Sequence, residues 1–279
     1  MSEKCRERRV AMRITLCILV FLGCSVSRTS GARARAEDQL IEDLLEKMRG
    51  TRVEPSRVSF ARQILSLGPS APVGSFCDGY LLLIAGDEAG AISKLDAALA
   101  KKKHFGTAAY VYGDAYSTRG RQTEAMGAYR RALTVEPALL PARLALGRLL
   151  LEKAEEATIP DSATAIRQEA IEVAERGLSD HPQEVSLQVA LGDAYVAAGQ
   201  PLEALLPYLV ADQLQPAEAD LESKLGFLYA DQGEIKPARS YLTVSLEDDP
   251  NTPAALRRLA DLYGEEGKID TALMLLSQG

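Results

Sequence analysis

The chain has 279 residues, 47% of them hydrophobic and 25% charged, and a formal charge of −7. That is enough apolar material for a large core, and glycine and proline are too sparse for a disordered chain. Residues 1–36 hold eight basic and two acidic side chains, leaving 24 against 37 in residues 37–279, a net −13. A body this acidic repels phosphate backbones, which argues against nucleic-acid binding and gives no reason to expect attraction to an anionic membrane.

The N-terminal leader is basic, then apolar. Arg6, Arg8, Arg9 and Arg13 precede the apolar run 14–24, and 14 residues separate Arg13 from Arg28. A spanning helix needs about 20 apolar residues, so the run reads as a signal peptide, 1–24. Two processing sites compete. Gly23-Cys24 resembles the end of a bacterial lipobox, which implies lipidation at Cys24, and this is the favoured site. Ala34-Arg35-Ala36 is an A-x-A site before Glu37. Residues 25–36 lack apolar periodicity and read as a flexible tether. Of the four cysteines, Cys5, Cys17, Cys24 and Cys77, only Cys77 lies in the body. No intradomain disulfide framework is available there, and nothing has metal-ligand spacing.

Residues 37–71 carry two helical stripes. Leu40, Ile41, Leu44, Leu45 and Met48 form the first, and Val58, Ala61, Ile64 and Leu65 the second. They predict an N-terminal helical cap or a degenerate repeat.

From residue 72 the chain repeats itself. Gly79, Gly113 and Gly147 are 34 apart, and so are Gly192, Gly226 and Ala260. Between the two sets the step is 45, an insertion of 11. With this small residue at position 8, position 20 is Ala91, Ala125, Ala170, Ala204, Ala238 and Ala272. Position 24 is Leu95, Tyr129, Ala174, Tyr208, Leu242 and Leu276. Position 15 is Gly86, Gly120, Gly199, Gly233 and Gly267, and position 32 is Pro137, Pro182, Pro216 and Pro250. Small residues at 8 and 20 let two antiparallel helices approach to about 8–10 Å. Glycine at 15 ends the first helix and proline at 32 stops the second.

These columns closely resemble the tetratricopeptide repeat family over 72–279. The resemblance implies an all-α fold, a right-handed superhelical solenoid of antiparallel helix pairs. Six units follow: 72–105, 106–139, 140–184, 185–218, 219–252 and 253–279. The insertion falls in the third, near 155–165. Eleven residues are about three helical turns, so longer helices on both sides of a turn at Pro160 keep the faces in phase. Asp161 or Ser162 is then the expected cap of the second helix.

Catalysis is not expected. Histidine occurs twice, His104 and His181, both beside inter-unit turns; Cys77 suits a small buried apolar position; no glycine-rich phosphate loop is present. No cofactor and no metal is expected. The carboxylate clamp known in the family needs asparagine and lysine on the first helices, and the single asparagine here, Asn251, sits in a turn. The family resemblance implies instead a non-catalytic protein–protein interaction scaffold. The leader adds the cell envelope, on the periplasmic side, with membrane contact only through an N-terminal lipid. A self-associating structural subunit is the alternative.

The family's concave face is lined by the first helix of each unit, chiefly at positions 2, 5, 9, 12 and 13. Phe76, Tyr80, Tyr110, Asp114, Arg148, Asp193, Phe227, Arg257 and Asp261 occupy positions 5 or 9 and are the candidate partner-binding residues. Phe76, Tyr80 and Tyr110 are the expected aromatic anchors, unless a neighbouring element covers them as core. Leu273, Met274, Leu275 and Leu276 on the last helix predict an apolar edge for docking or self-association.

Overall fold

The computed structural model describes residues 29–277 apart from 52, 102–104, 217 and 251. The leader, Cys24 and His104 lie outside them. Among the described residues the chain is all helix, with antiparallel neighbours packed in sequence order. It divides after Ala98 into two compact units.

The N-terminal unit contains α1 (Thr29–Gly50), α2 (Glu54–Ser66), α3 (Ala71–Ala85) and most of α4 (Glu88–Lys101). Helix α1 begins at Thr29, so 29–36 of the expected tether are helical. Alanine and arginine dominate that stretch, and both favour helix when joined to an amphipathic run. Ile41, Leu44, Leu45 and Met48 are buried, while Leu40 is 44% exposed and leaves the stripe. The α1–α2 corner is tied by buried Arg57, whose Nε donates to the Met48 carbonyl at 3.0 Å. Helix α2 packs in turn on α3. Cys77 is wholly buried on α3, and burial, with Asp78 beside it, pushes its thiol up to about 12.

The C-terminal unit stacks five helix pairs. They are α5 (Gly106–Ser117) with α6 (Gln122–Val135), α7 (Leu140–Glu156) with α8 (Pro160–Asp180), α9 (Val185–Ala197) with α10 (Pro201–Leu214), α11 (Ala219–Asp231) with α12 (Ile235–Asp248), and α13 (Pro253–Glu265) with α14 (Ile269–Leu276). Each second helix also packs on the first helix of the next pair, and α7 touches α9 as α11 touches α13. This is the one-dimensional arrangement in which each repeat buries its apolar face on its neighbours.

The repeat columns have visible causes. Position 15 turns the chain in the left-handed region, from Gly120 at φ 71° to Gly86 at φ 92°, where a Cβ is penalised. The third pair has Ala154 there instead. No turn forms, and α7 runs to 17 residues and α8 to 21, against 12–14 in the other complete pairs of this unit. Neither Asp161 nor Ser162 caps α8. The N-cap is Ile159 without a side-chain bond, and Pro160 takes the first helical position, where its missing N–H costs nothing and its fixed φ suits the helix. Asp161 falls in the first turn and still complements the helix dipole.

A candidate partner-binding groove

The small residue at position 8 and the large residue at position 24 meet face to face. A Cβ placed on Gly113 would lie 2.4 Å from the Tyr129 ring, and one on Gly192 2.2 Å from the Tyr208 ring. On Gly226 it would meet Leu242 at 2.6 Å. The glycines therefore make room for the side chains that fill each pair.

Tyr129 and Tyr208 are buried, and each hydroxyl donates to the aspartate at position 9 of its own repeat: Tyr129 to Asp114 at 2.7 Å, Tyr208 to Asp193 at 2.6 Å. Burial pushes both phenols well above their usual range, and the facing carboxylates push them further. Asp193 also pairs with Lys224 at 3.0 Å, and Lys224 with Asp220 at 3.0 Å. Burial alone would lower the Lys224 ammonium, but Asp193 and Asp220 outweigh it and hold it above its ordinary value. The same ammonium sits 6.0 Å from the Tyr208 ring centre.

Two adjoining cavities open along the first helices α7, α9 and α11. One, about 270 Å³, is lined by Leu144, Gly147, Arg148, Leu151, Ala174, Leu187 and their neighbours. The other, about 480 Å³, is lined by Leu151, Val196, Tyr208, Lys224, Phe227 and Asp231 among others. Leu151, Glu155 and Asp193 line both, so they form one groove. A larger cavity, about 640 Å³, lies between α6 and α8. Its charged side chains are tied up, Arg130 to Glu169 at 2.7 and 2.9 Å and Arg143 to Asp180 at 2.9 Å, and it lies on the far side of Arg143 and Val173, the two residues that line both it and the groove.

The groove gathers only part of the expected set. Arg148, Asp193 and Phe227 line it. Arg257 and Asp261 are exposed on α13 outside the lining of either cavity. The aromatic anchors are corrected: Phe76, Tyr80 and Tyr110 are 0%, 1% and 3% exposed, and Asp114 is 6% exposed. Helix α3 carries one charge, Asp78, in 15 residues, so it buries most of its circumference. Tyr110 packs on the Tyr129 ring, centroids 5.9 Å apart. These rings are core, and Asp114 serves the buried phenol. Sequence reasoning missed Lys224, Leu151, Val196 and Glu155. The signal for the aspartates was present, since aspartate at 9 coincides with tyrosine at 24 in the second and fourth repeats.

Two titratable groups lie apart from the groove. His181 is half-buried, with Nε2 3.0 Å from the Ala138 carbonyl, rather than a freely exposed turn residue. Glu222 on α11 is 5% exposed and its Oε2 has no hydrogen-bond partner among the described residues. Burial raises its carboxyl, and Asp248, Asp212 and Glu247 raise it further. A raised native value means that the folded chain holds this proton where the unfolded chain has lost it, so stability falls as pH rises through that interval. Glu222→Gln is therefore expected to raise Tm at pH 7. The gain should shrink as pH falls below the unfolded value, about 4.3. Melting curves of both proteins from pH 4 to 8 check this.

No described helix is long and apolar enough to cross a membrane. A comparison of the sequence with curated proteins found no match. Residues 107–139 match the family model of the tetratricopeptide repeat. Among solved structures, that of pilF from Pseudomonas aeruginosa is similar at 18% identity and a TM-score of 0.55, over 74% of this chain and 88% of that one. MamA is similar at 22% identity and a TM-score of 0.53, over 60% of this chain and 91% of that one. YrrB, described as a TPR protein with an unusual peptide-binding site, is similar at 20% and 0.53, over 65% and 88%. At these identities the likeness is one of fold. With the stacked helix pairs and the in-register columns, it shows that the chain has the fold of tetratricopeptide solenoids, and residues 107–139 are matched as one such repeat.

Proposed function

We propose that the chain is a non-catalytic scaffold of the cell envelope that holds a segment of a partner protein in the groove along α7, α9 and α11. The observation that carries this reading is the groove itself. It combines an apolar floor with a charged rim, as binding grooves do, and it lies on the first helices, where the family resemblance places the concave face. The basic-then-apolar leader supports export, and Gly23-Cys24 supports a lipid anchor. A photo-crosslinking residue at Val196, which lines the groove, is expected to capture a different protein. One at Leu206, 70% exposed on α10 outside both cavities, is expected not to. Mass spectrometry of the mature N-terminus should find lipidated Cys24; a start at Glu37 without lipid removes the anchor from the proposal.

The alternative, a self-associating subunit, has its own observation. Ile269, Leu273, Met274 and Leu276 on α14 are 56%, 60%, 54% and 51% exposed, whereas Leu275 packs on the core of the last two pairs. A Val196 adduct containing only this chain would favour that reading.

A further inference from the structure

The third repeat lacks the side chain that fills its neighbours. In the second and fourth repeats a tyrosine ring lies against the glycine at position 8, and in the fifth a leucine does. The third has Ala174 at that place, and a Cβ on Gly147 would meet nothing within 4 Å. The space is the cavity of about 270 Å³ that lies between α7, α8 and α9 and opens into the groove. An apolar cavity of roughly 150 Å³ accepts a benzene ring in another protein, so this one has room for an aromatic side chain.

The rim also differs from its neighbours. Position 9, aspartate where a resident tyrosine needs an acceptor, is Arg148 here. Its guanidinium pairs with Glu152 at 3.0 Å on a half-exposed surface and stands where it can lie against a guest ring. Further out, Asp231 is held by Arg258, and Glu152, Glu155 and Asp193 outnumber the two cations Arg148 and Lys224 by one. Buried Arg143 is already committed to Asp180. The surroundings are net acidic.

We infer that this vacancy is a specificity pocket for one aromatic side chain of the partner segment, carried between lysine or arginine residues that face the acidic rim. The ring takes the place that Tyr129 and Tyr208 take in their own repeats. The inference rests on the groove reading above and adds the chemistry of what the groove selects.

The test uses the full chain and nine-residue synthetic peptides. The central residue is Phe, Tyr, Trp, Leu or Ala, with two lysines or two glutamates as flanks on a Gly/Ser background. Fluorescence anisotropy reads the binding. Lysine-flanked aromatic peptides are expected to bind at least about tenfold more tightly than those centred on alanine, as burial of a whole ring implies, and more tightly than glutamate-flanked ones. Ala174→Tyr supplies the missing ring from inside and should abolish this selectivity while Tm holds or rises. Gly147→Leu plugs the same space from α7 and gives a second reading should the tyrosine variant fold poorly. Equal binding of alanine- and aromatic-centred peptides, or unchanged selectivity in a folded plugged variant, overturns the pocket. A concentration-dependent dimer that Ala174→Tyr disperses, without peptide selectivity, would assign the vacancy to a second copy of this chain and also overturn it. If the crosslink at Val196 to a different protein persists through either result, the groove stands and only the pocket falls. Its absence counts against the groove itself.

Discussion

Arg143→Met is expected to destabilise the protein by about 2–3 kcal/mol, the range for hydrogen bonds to a charged group, or a fall in Tm of roughly 5–10 °C for a chain of this size. The side chain of Arg143 is 6% exposed. It donates to the carbonyl of Pro137 in the preceding turn, to the carbonyl of Val173 on α8 at 3.3 Å, and to Asp180 in the last turn of α8 at 2.9 Å. One guanidinium thus joins the end of the second repeat to the middle and the C-terminal end of the third repeat's longer second helix. Gly177 leaves it the room, since a Cβ there would lie 2.5 Å from Arg143 Cδ. Methionine keeps most of the volume and loses every donor, so the Pro137 carbonyl loses this partner and the Val173 carbonyl keeps only its place in the helical ladder. Asp180→Asn should cost less than about 1 kcal/mol, because that carboxylate is 40% exposed and water can replace its partner. Urea titration of the two variants separates them. Near-equal losses would mean that the ion pair, rather than the buried donors, holds the corner.

Much of this architecture was readable because a stack repeats its steric constraints. A glycine at position 8 recurs where a ring or a leucine must enter, and glycine at 15 recurs where the chain turns through positive φ. The same logic made the insertion legible as helix extension: Ala154 cannot make the turn, so α7 continues. The binding residues were harder to read. A position number fixes which way a side chain leaves its helix, but not whether another element covers it, and Phe76, Tyr80 and Tyr110 share their numbering with groove residues while lying inside. Tertiary charge partners follow no period either. Arg143 and Glu222 both stand at position 4 of their repeats, yet one donates to three acceptors, with only its Nε left unpaired among the described residues, and the other faces carboxylates. The coupling of aspartate at 9 to tyrosine at 24 was present in the columns, as was the pairing of two small residues, Gly147 and Ala174. Both emerge only when columns are compared with one another within a repeat.

That comparison makes glycine-to-alanine a signed probe of the stack. Alanine improves a helix interior by about 0.5–1 kcal/mol over glycine wherever the added methyl has space. At Gly147 nothing lies within 4 Å of the new Cβ, so Gly147→Ala should stabilise by about that amount. At Gly192 the methyl would lie 2.2 Å from Cε1, 2.5 Å from Cδ1 and 2.7 Å from Cζ of Tyr208. The ring cannot swing aside cheaply. It is 2% exposed, and its hydroxyl is held by Asp193, which Lys224 holds in turn. Either the two helices separate or the phenol leaves its acceptor, and overpacking of this kind costs about 1–3 kcal/mol despite the gain in helix propensity. Gly113→Ala should behave like Gly192→Ala, because Tyr129 and Asp114 repeat the arrangement. Hydrogen exchange resolved along the chain reads the result locally, as a nearest-neighbour stack requires. Gly192→Ala should speed exchange first in α9 and α10, and Gly147→Ala should slow it in α7 and α8. If both substitutions shifted stability in the same direction, helix propensity alone would be setting the balance, and the vacancy in the third repeat would not be the open space its geometry describes.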